Sequence, residues 1–403
     1  MNDIKESQLI DLIQSIQKAN KAKVGWSAKK LDQRVSILEP IVNKIREARG
    51  ELVSLESSES GVSQQSLEKL YDDFLDHLDQ LLKSNLSPGV PLGIVGVAGD
   101  FEARAPWTLY RLFAGLLRGN AVFVLSDKEN IRATQKGIDI VFNGELPEGL
   151  VSSFVSEDGE FRSMFFSHPG MKGLSVKTTM EEGKNIRKLL VEDFKRCHLE
   201  LDGRGVALIL DPLDNQQMDN LVEGIFSYYN YYRSRPSRIF IVDKVMDEFQ
   251  DELMKRVSAD QRSGFDLGDI TSGDLNLKWE QGIREEGRSL LNEEALSSRI
   301  MTELPNCALV QQLPVKGPFA SLSRVKYPAE AIKFANTTPL GTSTSIWCKD
   351  PERFKKLSGQ VESPVVLHNT SLPGFESYCH LYKSSYWGFN GEVKDLFCLK
   401  GKR

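Results

Sequence analysis

Several things are scarce in these 403 residues, and each scarcity narrows what the protein can be. The five cysteines, Cys197, Cys307, Cys348, Cys379 and Cys398, are scattered with no C-x-x-C pair. That pattern argues against a disulfide framework or a thiolate metal knuckle, so reduced, mostly buried thiols are expected. The five histidines, His77, His168, His198, His368 and His380, show no metal-ligand spacing. No apolar run approaches the roughly 18 residues needed to span a bilayer. Residues 1–24 are amphipathic and mix both charges, unlike a secretory leader. The net charge of −5 offers no basic footprint for nucleic acid or anionic lipid. Nucleic acid and membrane are therefore not expected partners, and the expected location is the cytoplasm. A G-x-G-x-x-G fingerprint is also missing: Gly93, Gly96 and Gly99 have the wrong spacing, and a lone glycine cluster is weak evidence for a nucleotide site.

What remains is an ordinary globular composition, 40% hydrophobic and 27% charged, on a chain long enough for two or three domains. Leu9, Ile10, Leu12, Ile13 and Ile16 recur at helical spacing over 5–22. A second helix is expected after Ser27 as cap, carried by Leu31, Val35, Leu38, Val42 and Ile45, with a kink or a fresh start at Pro40. A third helix follows, with Leu67, Leu70, Tyr71, Phe74, Leu78 and Leu81 on one face. From Pro91 onward short apolar runs alternate with helical segments: a β-run at Pro91–Val97, a helix at about 103–118, a strand at Ala121–Leu125, a second helical segment leading to Leu146–Val151 and another strand, then Lys172–Val176, a helix at 180–194, and strands near 197–201 and 206–210. Such alternation argues for an α/β fold with a parallel, doubly wound sheet.

Short motifs form an ordered series through Pro91-Leu92-Gly93-Ile94-Val95-Gly96, Gly119-Asn120-Ala121-Val122, Leu146-Pro147-Glu148-Gly149 and His168-Pro169. It continues with Leu199-Glu200-Leu201-Asp202-Gly203-Arg204, Ser237-Arg238-Ile239-Phe240 and Ala331-Ile332-x-x-Ala335-Asn336-Thr337-Thr338. Each piece is generic, but the ordered set over most of the chain is specific, and it resembles the aldehyde dehydrogenase superfamily. The resemblance implies a Rossmann-type nucleotide-binding domain over 1–204, a catalytic-type α/β domain over 205–370, and a tail, 371–403, that returns to the first domain or to an oligomer interface. Only Ser84–Val90 stands where the family carries its oligomerisation hairpin, and 258–310 is trimmed. Both shortenings put the family's usual dimer and tetramer in question.

The family's chemistry can be checked part by part on this sequence. Counting back from Arg238, the position of the nucleophilic cysteine falls on Arg233, in a loop that holds no cysteine. A guanidinium cannot attack an aldehyde, because it stays protonated and carries donors only. Counting back from Gly119-Asn120, the oxyanion asparagine is replaced by Glu102, whose carboxylate would repel a developing oxyanion. Glu200 keeps the general-base position of the L-E-L-G-G motif, either as a functional base or as a residue retained at a strand end. In the K-P-[SA]-E turn the lysine becomes Leu125 and the ribose-binding glutamate becomes Lys128. The F-T-G-S turn under the cofactor pyrophosphate reads Val176-Lys177-Thr178-Thr179, where amides at a helix start could still hold an anion but Thr178 crowds the glycine position. The last acidic cofactor contact has no counterpart near Gly317-Pro318.

The resemblance therefore implies a family fold that has lost NAD(P)-dependent aldehyde oxidation and acts as a non-catalytic binding or regulatory homologue. The alternative is an active oxidoreductase with an altered site. No cofactor is expected unless the cleft still takes NAD or NADP through Thr178 and Thr179. The expected partner is a second copy or another protein. Arg233 and Glu102 are expected either to pair across the old substrate tunnel or to leave Arg233 facing solvent. The tyrosines Tyr228, Tyr229, Tyr231 and Tyr232 read as core packing or as a recognition surface.

Overall fold

The computed structural model describes residues 2–60, 64–86, 89–100, 103–128, 131–192, 194–226, 234–259, 277–278, 280–289, 299–315, 319–371, 378–379 and 385–400. Arg233, Glu102 and the tyrosine-rich segment 228–232 lie outside the described residues, and so does the expected pairing of Arg233 with Glu102.

Four helices open the chain: α1 (Asn2–Ala28), α2 (Leu31–Glu47), α3 (Arg49–Ser60) and α4 (Gln64–Lys83). Two expectations fail here. The residue capping α2 is Lys30, whose backbone N–H donates to the Gln33 side chain at 2.9 Å, while Ser27 lies inside α1 and donates back to the Val24 carbonyl. Nor does a fresh helix start at Pro40, one of the two outcomes expected there, because α2 runs continuously through it. Leu38, Ile41, Val42 and Ile45 are all buried on either side of Pro40, and this packing outweighs the one hydrogen bond that proline forgoes.

Two sheets follow. The first has the order β15-β6-β5-β2-β3-β4, built from β2 (Ile94–Gly99), β3 (Ala121–Ser126), β4 (Val151–Val155), β5 (Met171–Lys177) and β6 (Arg196–Glu200). These five strands are parallel, and β15 (Tyr386–Gly388) is antiparallel at one edge. The helices between the strands are α5 (Ala105–Leu117), α6 (Arg132–Phe142), α7 (Gly159–Ser167) and α8 (Met180–Glu192). The chain turns sharply from β2 toward α5, so a Cβ on Gly99 would meet the Ala103 Cβ at 2.0 Å.

The second sheet has the order β13-β12-β7-β8-β11-β10-β9. It is parallel through β7 (Gly205–Ile209), β8 (Pro236–Val242), β10 (Arg299–Thr302), β11 (Phe319–Val325), β12 (Ser343–Trp347) and β13 (Val365–His368), with only β9 (Arg288–Ser289) reversed. Each sheet carries its own hydrophobic cluster. The end of the chain packs back on the first sheet. β17 (Cys398–Lys400) pairs with β1 (Gly89–Pro91), Arg118 binds the Asp395 carboxylate, and the Asn120 amide donates to the Phe397 carbonyl. Among the described residues no helix is long and apolar enough to cross a membrane.

Candidate functional site

The carboxyl ends of parallel strands are where open α/β sheets bind ligands. In the first sheet the ends of β2, β5 and β6 meet at Gly99, Lys177 and Glu200, and the register sets Lys177 directly beside Glu200. Lys177 Nζ lies 2.7 Å from Glu200 Oε1. The other carboxylate oxygen accepts from the Trp107 indole N–H at 2.9 Å and lies 3.6 Å from Arg111 Nη2. Arg111 is anchored in turn by Ser175, to which its Nε donates at 3.0 Å, and its guanidinium lies 4.0 Å above the Trp107 ring. All of these side chains are buried: Lys177 and Arg111 are 1% exposed and Glu200 5%. The sequence picks out Glu200 but misses its partners. A signal was present, because Arg111 is the only charged residue in α5, a helix buried along its whole length, and an isolated charge in such a helix needs a buried counter-charge.

The start of α8 is satisfied by the chain's own acids. Asp202, which stands where the L-E-L-G-G motif has glycine, accepts from the Met180 backbone N–H at 2.7 Å. The Thr179 hydroxyl accepts from the Glu182 backbone N–H at 3.3 Å. Thr178 is fully buried; its N–H donates to the Glu200 carbonyl and its hydroxyl to the Glu182 carboxylate. The two threonines therefore lie close to Glu200, and their hydrogen bonds run to its backbone carbonyl and to Glu182.

A second charged group joins the helices beside this point. Arg162 of α7 binds Asp127, just beyond β3, and reaches Glu182 of α8 at 2.8 Å. Burial pushes the Asp127 carboxyl above its ordinary value, against the pull of Arg162. Leu125 is wholly buried in β3, and Lys128 is an exposed cation 3.7 Å from Glu157.

In the second sheet Arg238 is wholly buried and donates to Asn306 Oδ1 at 2.8 Å and to the Phe334 carbonyl at 2.9 Å; burial pushes its pKa down to about 10. Cys307 is exposed, whereas Cys197, Cys348 and Cys398 are buried free thiols. Burial pushes the Cys197 thiol up to about 12. Among the described residues no group of His, Cys, Asp and Glu could hold a metal. His168 closes α7, and its Nδ1 accepts from the Gly170 N–H at 2.9 Å, a turn-forming contact.

Two largely parallel sheets, with helices between their strands, define an α/β fold of the Rossmann-like kind. The aldehyde dehydrogenase family profile matches residues 1–392, and the chain belongs to that family. Aminoaldehyde dehydrogenase 2 of Zea mays is 23% identical over 393 residues, covering 87% of this chain and 77% of that protein. Betaine aldehyde dehydrogenase 1 of Oryza sativa subsp. japonica is similar to the same extent. Among solved structures, aldehyde dehydrogenase from Bartonella henselae superposes with a TM-score of 0.87 at 19% identity, covering 97% of this chain and 90% of that one. The NAD+ complex of aldehyde dehydrogenase from Bacillus cereus gives 0.86 at 16% identity, covering 95% and 86%. The family and its fold agree with what the ordered motifs imply.

Proposed function

We propose that this family member does not oxidise aldehydes with NAD(P) and acts instead as a non-catalytic binding or regulatory homologue. The observation that carries this reading is the Lys177–Glu200 contact. A general base must have a free carboxylate oxygen within reach of the proton it takes. Here one oxygen is bound by an ammonium, and the other is shared between an indole N–H and a guanidinium. Arg233 stands at the nucleophile position and Glu102 at the oxyanion position, and neither residue type can do the chemistry required there.

The residues at the expected cofactor cleft fit a dinucleotide poorly. A pyrophosphate binds a helix start through free N–H groups. The Met180 N–H is already taken by Asp202, and two more acids, Glu181 and Glu182, occupy the first turn of α8. The Asp127–Arg162–Glu182 bridge also ties α7 to α8. In this reading the protein works through a second copy or another protein, in the cytoplasm.

The alternative, an oxidoreductase with an altered site, draws support from one feature: Glu200 keeps its place at the end of β6. Melting the protein with NAD+, NADP+ and their reduced forms, alongside assays with aliphatic and amino aldehydes, separates the two. A ligand at about 100 times its Kd adds roughly 2.7 kcal/mol of stability. The proposal expects no shift and no reduced cofactor formed; cofactor-dependent turnover would overturn it.

A further inference from the structure

A cleft of about 490 Å3 opens between α3, α6 and the carboxyl ends of β3 and β4. It shares no lining residue with the Lys177–Glu200 cluster: the cleft lies at the ends of β3 and β4, the cluster at the ends of β5 and β6, and β2 stands between them in the sheet. α6 packs with α3 and α5, and right-handed crossovers set it on the face opposite α7 and α8. The floor is made of Leu55, Ile131 and Val155, aliphatic side chains that are only half buried. The rim carries Lys128, Arg132 and Lys136. Of the lining residues only Asp139 is acidic, and its carboxylate accepts from Gln135 at 3.0 Å.

The three cations are available to a ligand. Lys128 and Lys136 pair with Glu157 and Glu51 at 3.7 and 2.8 Å, and all four side chains are more than a third exposed. Exposed pairs of this kind contribute little and exchange readily. The Arg132 side chain is exposed and makes no hydrogen bond or ion pair with a described residue. Its backbone N–H, at the start of α6, is held by Glu59, which attracts the guanidinium only from a distance.

We infer that this cleft binds a small amphipathic anion, an apolar body carrying a single oxyanion headgroup. The apolar part would cover Leu55, Ile131 and Val155, while Arg132 and Lys136 hold the headgroup. Apolar floors with a few convergent polar groups are the usual make-up of small-molecule sites, and guanidinium donors suit carboxylate and phosphate alike.

The test is calorimetric titration of the full chain with decanoate, decyl phosphate and decanol. The expected result is binding of one or both anions and none of decanol; the tighter of the two names the headgroup. Arg132→Gln with Lys136→Gln should weaken the anion about tenfold, the loss of two charge-assisted contacts. Leu55→Gln keeps the cations and should also weaken it. Decanol binding as well as the anions, no binding by either anion, or anion affinity unchanged in the Arg132/Lys136 variant would overturn the proposal. All three substitutions are at exposed or half-buried positions, so melting curves can verify that the variants fold.

Discussion

Lys177 and Glu200 are register partners at the ends of adjacent parallel strands, and their side chains meet 2.7 Å apart in the interior. The same carboxylate also lies 3.6 Å from Arg111 Nη2, so two buried cations share it. This asymmetry orders the expected effects of substitution.

Glu200→Gln removes the carboxylate charge that Lys177 and Arg111 share, whereas Lys177→Met leaves Glu200 still paired with Arg111 and Trp107. Breaking a buried pair from one side costs about 3–5 kcal/mol. Denaturant unfolding should give a loss in that range for Glu200→Gln and a distinctly smaller one for Lys177→Met. Equal losses would mean that Arg111 does not depend on Glu200.

Asp202→Gly removes the carboxylate that holds the Met180 N–H. Losing such a cap costs about 1 kcal/mol. If Asp202 is what excludes a pyrophosphate, the variant should gain a melting shift with NAD+ that the parent protein lacks. A variant that is destabilised yet blind to NAD+ would move the obstruction to Lys177 and Arg162.

Asp127 has its folded pKa raised by burial. A raised carboxyl contributes stability below its unfolded pKa and loses it as pH rises through the folded value. Relative to Asp127→Asn, the parent protein should therefore become more stable as the pH falls from neutral toward the carboxylate range. Unfolding curves for both proteins across that interval provide the check, and the opposite slope would mean that Arg162 outweighs burial.

Thiol alkylation should follow burial. Iodoacetamide at neutral pH is expected to modify Cys307 in the folded protein and to spare Cys197, whose thiol stays protonated far above neutrality. Peptide mapping before and after unfolding reads this directly. Rapid labelling of any buried thiol in the folded state would point to an activated cysteine and favour the enzymatic alternative.

Much of the fold was legible in the order of residues. Strand–helix alternation after Pro91 and the run of family-like turns point to the first parallel sheet. Local chemistry was a poorer guide at Ser27 and Pro40. Ser27 reads as a cap but falls inside α1, and the cap of α2 is Lys30; at Pro40, burial of Leu38, Ile41, Val42 and Ile45 carries α2 through without a fresh start.

The sequence by itself determined that no cysteine stands in the loop before Arg238; that Arg233 takes the nucleophile position and Glu102 the oxyanion position is what the family resemblance implies by counting from Arg238 and Gly119-Asn120. Only the tertiary structure decided what surrounds the retained Glu200. Arg111 lies 89 residues from it, Trp107 lies 93, and Lys177 lies on a neighbouring strand. Contacts at that separation are set by strand register and by the face on which α5 packs, and no local pattern of residues encodes either.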